Sequence, residues 1–169
     1  MLERFETERL ILRVLNESDI NGVLDYYIRN KKFLEPWIPK FGNEFFTYEF
    51  QLQRLNFENE LWKKGLEYRF RVFKKTEPEK NIGNIAVSNI VRGVLQSGCL
   101  GYSIDENENG KGIATEAIEK VIEMSFNELK LHRLEANVIP TNTASIKVLR
   151  KLNFAEEGYS KNYCKINDK

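Results

Sequence analysis

Disulfides, a surplus of positive charge and long apolar runs are all scarce in this sequence, and each shortage removes a class of protein. Two cysteines, Cys99 and Cys164, are too few for a disulfide framework, which makes a reducing compartment the default. Lys plus Arg number 26 and Asp plus Glu 25, so the basic surplus expected of a dedicated duplex binder is missing. No direct nucleic-acid partner is therefore expected. No apolar run reaches membrane-spanning length, and the opening Met1-Leu2-Glu3-Arg4-Phe5 carries no apolar signal core. The expectation is a cytoplasmic chain with no membrane partner. The one histidine, His132, stands beside Arg133 and reads as solvated, and no metal site is expected. No repeat, low-complexity tract or Ser/Gly linker divides the 169 residues, so 1–169 is read as one domain. Hydrophobic residues at 41% and charged residues at 30% provide a core and argue against disorder.

The patterning predicts a mixed α/β order, β-α-α-β-β-β-α-β-α-β, with mainly antiparallel early strands and a later crossover. Residues 6–14 read as one strand, Leu10, Leu12 and Val14 alternating against Arg9, Ile11 and Arg13. Asn16 or Ser18 then caps a helix whose apolar face is Ile20, Val23, Leu24, Tyr27 and Ile28. An aromatic, proline-punctuated segment (31–46) precedes a second helix over 48–64. Strands are predicted at 67–74, 81–91 and 97–104. The strongest helical stripe covers 112–129, through Ala114, Ala117, Ile118, Val121 and Ile122. A strand at 133–139 stops at Pro140, Asn142 opens a helix running through Leu152, and the chain from Phe154 reads as extended.

The segment that carries chemistry is Ile104-Asp105-Glu106-Asn107-Glu108-Asn109-Gly110-Lys111-Gly112-Ile113-Ala114-Thr115, where a strand gives way to a two-glycine turn and a helix. Glycines let successive backbone N–H groups converge, and the helix start adds unpaired N–H groups and a positive dipole end. That combination suits a pyrophosphate; a plain turn with permissive glycines is the alternative. It is no Walker loop, because no Gly-Lys-Ser/Thr follows four spacers, and it lacks the Gly-x-Gly-x-x-Gly run of a dinucleotide site.

Roughly 30 residues later comes Pro140-Thr141-Asn142-Thr143-Ala144-Ser145, leading into Val148-Leu149-Arg150-Lys151-Leu152-Asn153-Phe154. Other pieces are Glu8-Arg9-Leu10-Ile11-Leu12-Arg13, Phe33-Leu34-Glu35-Pro36-Trp37 and Leu100-Gly101-Tyr102-Ser103-Ile104. In this order the pieces resemble the GNAT superfamily of acetyl-CoA-dependent N-acetyltransferases, and within it the branch that acetylates the N-terminal alanine of ribosomal proteins. The resemblance implies a central twisted, mostly antiparallel sheet flanked by helices. It implies that Asn109, Gly110, Lys111, Gly112, Ile113, Ala114 and Thr115 grip the pyrophosphate of acetyl-CoA. Tyr102, Ser103 and Ile104 would pair with the pantetheine amides as an added strand. Asn142 would touch the pantetheine arm, although it also reads as an ordinary helix cap with Ser145 at the third helical position. Glu35 and Trp37 would line the acceptor site, where the aromatics of 31–46 read equally well as core.

Three departures stand out. Asn109 replaces the usual Arg or Gln, and a weaker grip on CoA is expected. Asn153 replaces a helix-ending Gly, which it can imitate by adopting the left-handed conformation. Relatives continue past Ile166-Asn167-Asp168 into one more strand. The expectation is that residues 159–166 fold back into that slot; filling by a second copy, giving a homodimer, is the alternative.

The implied reaction is attack of a neutral amine on the acetyl thioester. An α-amino group titrates at about 7.7–8.0, so a strong base is optional and water relays to Tyr102, Glu35 or Asp105 suffice. Leu149 stands where many relatives carry a Tyr that protonates the thiolate, so that role falls to Ser145, which the resemblance sets near the thioester sulfur, to water, or to nothing; Ser145 is the expected donor. A backbone N–H near Ile104 would hold the oxyanion. Cys99 has no positive partner in the sequence and reads as a packed thiol rather than a nucleophile. The expected acceptor is a protein N-terminus such as that of a ribosomal protein. A small-molecule amine is the alternative acceptor, and a degenerate, non-catalytic CoA-binding module the alternative to an enzyme.

Overall fold

The computed structural model describes residues 3–167; Met1, Leu2, Asp168 and Lys169, which belong to the sequence readings at the two ends, lie outside the described residues. The opening stretch is two strands rather than one. β1 (Arg4–Glu6) and β2 (Leu10–Arg13) form an antiparallel pair. Thr7 breaks the run: its amide donates to the Leu10 carbonyl and its hydroxyl accepts from the Leu10 amide, both at 3.0 Å, closing a turn.

Asn16 starts the helical segment as a capping box, accepting from the Ser18 amide while Asp19 accepts from the Asn16 amide. A 3-10 turn then runs into α1 (Ile20–Arg29). Ile20, Val23 and Tyr27 are buried as the spacing predicts. Tyr26 takes the remaining buried position, and Ile28 is left 58% exposed. A single turn, α2 (Lys31–Leu34), and α3 (Tyr48–Lys63), capped by Thr47, complete this face.

β3 (Tyr68–Lys74), β4 (Glu77–Val91) and β5 (Ser97–Ile104) follow as antiparallel neighbours. β4 begins before the predicted residue 81, because register shifts near Phe73 let the hairpin keep pairing as far as Lys74 opposite Glu77. α4 (Ile113–Asn127) crosses over to β6 (Arg133–Glu135), which lies parallel to β5, and α5 (Thr143–Lys151) closes the order. The sheet runs β1-β2-β3-β4-β5-β6, with β5–β6 the parallel pair. On one face Leu10, Leu12, Phe70, Val72 and Ile85 pack against Ile118 and Val121 of α4. On the other, Ile11 and Phe73 meet Ile20, Tyr26, Tyr27 and Phe45 under α1 and α3. Most aromatics of the 31–46 segment belong to this second core, where Phe41 stacks on Phe45 and Phe45 meets Tyr27 edge-on.

The C-terminal third departs from expectation twice. β6 ends at Glu135 instead of 139, although Ala136 and Val138 still pack on the core. Among the described residues no strand follows α5, so residues 154 onward do not extend the sheet and 159–166 do not enter it. Asn162 sits in the left-handed region at φ 55°, which interrupts any strand through that segment. Side chains hold the tail instead. Asn137 Nδ2 donates to the Tyr163 hydroxyl at 3.1 Å, and Asn167 bridges the Lys40 amide and the Glu35 and Ile38 carbonyls. Asn153, at φ 62°, does end α5 as a left-handed residue, and the Phe154 amide reaches back to the Leu149 carbonyl at 3.0 Å. No helix among the described residues is long and apolar enough to cross a membrane.

Candidate active site

The site begins where two parallel strands part. β5 and β6 pair only at Ser97–Arg133, Gly98–Leu134 and Cys99–Glu135; beyond that, Leu100–Ile104 pairs with β4 alone. The far edge of β5 therefore presents backbone polar groups with no strand beside them. A ligand with amides of its own can complete such an edge as an added strand.

α4 starts just beyond this edge, and no side chain among the described residues caps it. Its cap position is Gly112, left-handed at φ 78° and ψ 1°. α3 and α5, by contrast, are capped by Thr47 and Asn142. Uncapped first-turn amides preceded by two left-handed glycines make a concavity for an anion. At Gly110, φ 73°, a Cβ would meet nothing within 4 Å, so the approach is open.

Between sheet and α5 stands a hydroxyl pair. The Tyr102 hydroxyl lies 2.7 Å from Ser145 Oγ, and the Ser145 amide donates to Asn142 Oδ1 at 3.1 Å. Three residues singled out in the sequence, from β5, the α5 cap and its first turn, thus form one connected group. Burial pushes the Tyr102 phenol above its usual range, only partly offset by the Ser145 bond, so it is protonated at neutral pH and acts as a donor.

The chain has relatives among known proteins. Residues 9–155 match the family described as acetyltransferase (GNAT) domain. The chain belongs to the GNAT acetyltransferase family. The [ribosomal protein uS5]-alanine N-acetyltransferase of Escherichia coli (strain K12) is 38% identical over 165 residues, 97% of this chain and 84% of that protein. The crystal structure of a ribosomal-protein-S5-alanine acetyltransferase from Vibrio fischeri superposes with a TM-score of 0.91 at 41% identity, covering 97% of this chain and 89% of that one. Mycobacterium smegmatis RimJ in complex with CoA-disulfide gives a TM-score of 0.87 at 27% identity, over 94% and 76% of the two chains.

Other residues of this GNAT domain lie less simply. The Ser103 side chain faces α1, taking bonds from the Tyr26 hydroxyl at 2.9 Å and Asn84 Nδ2 at 2.6 Å, which leaves its backbone for the open edge. Asp105 is held in place by its neighbours. It is buried, its carboxylate pairs with Arg29 and accepts from the Asn107 amide, so it shapes the turn. Glu35 is exposed, 3.4 Å from Lys40, and Trp37 is half-buried. Both sit on the loop that Asn167 ties down, and neither shares a hydrogen bond with Tyr102 or Ser145 among the described residues. Cys99 is half-buried, its thiol pushed up by burial and facing Asn137, which keeps it a poor nucleophile. Lys74 pairs with the buried Glu108 at 2.9 Å, and Lys111 reaches the same carboxylate at 3.2 Å.

Two features escaped the sequence reading because their partners are distant in the chain. α1 holds the end of β5 and the start of the loop: Tyr26 reaches Ser103, Arg29 reaches Asp105 and the Asn81 carbonyl, and Asn30 Oδ1 accepts from the Glu106 amide. On the other flank, Glu116 in the first turn of α4 accepts from the Thr7 hydroxyl and from the backbone and side chain of Arg9. The Arg9 in the opening motif was the available signal, but nothing in one sequence says what it touches. A separate small hollow under α3, lined by Leu15, Gln51, Arg54, Glu58 and Arg71, includes none of the loop or open-edge residues.

Proposed function

We propose that this chain moves an acetyl group from acetyl-CoA to the α-amine of a protein N-terminus, with a ribosomal protein as the acceptor class, and works as one domain. The observation that carries the reading is the uncapped, glycine-preceded start of α4 next to the unpaired edge of β5. The kinship with uS5-alanine acetyltransferases supports the acceptor class.

In this reading the amides of Gly110–Thr115 hold the pyrophosphate, and the backbone of Tyr102, Ser103 and Ile104 pairs with the pantetheine arm beside Asn142. When bound, acetyl-CoA supplies the activated acyl carbon. The acceptor amine needs little help, since at an ordinary α-amino pKa of about 7.7–8.0 a useful fraction is neutral near pH 7.5. An N–H near Ile104 donates to the acetyl oxygen as negative charge grows there. The Tyr102–Ser145 pair, 2.7 Å apart, relays one proton: Ser145 gives its own to the departing sulfur and takes one from Tyr102, which recovers through water the proton that the amine nitrogen sheds as the amide forms. Glu35 and Trp37 wall the acceptor side.

The test is release of CoA thiol with a panel of acceptors: peptides beginning with Ala, the same peptides N-terminally blocked, and small amines. Turnover on free Ala-starting peptides and none on blocked ones is expected. Turnover on small amines alone would overturn the acceptor assignment, and binding of CoA without turnover on any amine would overturn catalysis.

A further inference from the structure

We propose that Arg9 is a phosphate ligand for CoA, supplying from the far end of the chain the cation that Asn109 does not. The inference rests on the reading of residues 109–115 as the phosphate cradle. The guanidinium is held in a fixed plane at the start of α4. Its Nε donates to Glu116 Oε2 at 2.6 Å and its Nη1 to the Lys111 carbonyl at 3.0 Å. Its Nη2 lies 3.4 Å from where a Cβ on Gly112 would stand, and it has no hydrogen-bond partner among the described residues.

Nε and Nη1 are thus each tied to protein, and Nη2 is left free beside the uncapped start of α4 at Gly112. The side chain is 46% exposed, so a ligand can reach it. Glu116 offsets part of this charge, but it engages Nε and the Arg9 amide and leaves the Nη2 N–H groups to donate to a ligand. The loop's own lysine is a poorer candidate, since Lys111 is drawn to Glu108. A planar guanidinium with a preset orientation matches phosphate oxygens better than a mobile ammonium does. CoA offers two such groups, the pyrophosphate and the ribose 3′-phosphate, and the chemistry is shared.

Calorimetric titration of Arg9→Gln, Arg9→Lys and Glu116→Gln with CoA, dephospho-CoA and S-acetylpantetheine decides the matter. Arg9→Gln is expected to weaken CoA by about tenfold. Arg9→Lys should weaken it two- to threefold, and S-acetylpantetheine should bind all variants alike. Glu116→Gln should bind CoA as tightly as the parent or better, since it removes a nearby negative charge but keeps the guanidinium. Equal losses for CoA and dephospho-CoA in Arg9→Gln support contact with the pyrophosphate, and a loss for CoA alone supports the 3′-phosphate. Parental CoA affinity in Arg9→Gln would overturn the proposal, as would a loss in Glu116→Gln as large as that in Arg9→Gln, which would make Arg9 only a brace. Failure of the parent protein to bind CoA would instead strike the reading of the loop.

Discussion

Substitution of Gly112 separates the backbone's part in ligand binding from its part in stability. The residue holds φ 78° with α4 beginning immediately after it. The left-handed conformation costs an L-residue about 1–2 kcal/mol. In a domain of this size 1 kcal/mol shifts Tm by about 2–4 °C, so Gly112→Ala should lose about 2–8 °C if the turn keeps its shape. Gly112→Asn, which tolerates left-handed φ, should lose less. Gly112→Val adds χ1 crowding, and its branches grow from a Cβ already 3.4 Å from Arg9 Nη2. The loop then escapes strain by turning φ negative, which swings the Ile113 amide away from the cradle. Its melting temperature should therefore fall little, while CoA affinity falls at least about tenfold, worth roughly 1.4 kcal/mol. Gly93, φ 73° at the β4–β5 turn with nothing within 4 Å of its would-be Cβ, is the control: Gly93→Ala carries comparable strain and should leave CoA affinity unchanged. Scanning fluorimetry of the free protein and calorimetry with CoA give the two readouts. Parental CoA affinity in Gly112→Val would refute the reasoning.

Other expectations follow from the same geometry. Tyr102→Phe and Ser145→Ala should each lower kcat by about ten- to a hundredfold with the KM for acetyl-CoA within twofold, as steady-state kinetics would show; matched losses through KM would point to binding instead. In the parent, kcat/KM should rise with pH as the acceptor amine loses its proton, at about 7.7–8.0. It should then stay level to pH 10, because burial holds the Tyr102 phenol protonated beyond its usual 10.0; a fall centred near pH 9 would contradict a tyrosine donor. Arg29→Gln leaves the Asp105 carboxylate, 2% exposed, without its cation. Losing one partner of such a pair costs about 3–5 kcal/mol, or about 6–20 °C in Tm, and a change within 2 °C would count against it. Asn167→Ala frees the 35–40 loop and should raise the acceptor KM severalfold with CoA affinity unchanged; an unaltered acceptor KM would detach that loop from acceptor binding.

What the sequence determined by itself is local. Apolar spacing located α1, α3, α4 and β3–β5 closely, because a helix or strand face is written in residues three or four apart, or two apart. The glycine loop was legible for the same reason: strand end, glycines and helix start are contiguous. Asn142 and Ser145, three apart at a helix mouth, were legible as cap and partner. Local readings failed at Thr7, whose hydroxyl closes the turn that splits the first strand, at β6, which ends at Glu135, and at Asn162, whose left-handed backbone turns the tail.

Tertiary structure decided the rest. The 2.7 Å meeting of Tyr102 and Ser145 joins residues 43 positions apart. Arg9 and Glu116 meet across 107 positions, and Arg29 and Asp105 across 76. No periodicity encodes such pairings. They exist because the sheet lays β2 and β5 in one plane while α1 and α4 cover its opposite faces, each reaching a different side of the same loop. The opening beside β5 is likewise tertiary, since it depends on β6 ceasing to pair after Glu135, and nothing in the sequence of β5 signals that its neighbour leaves.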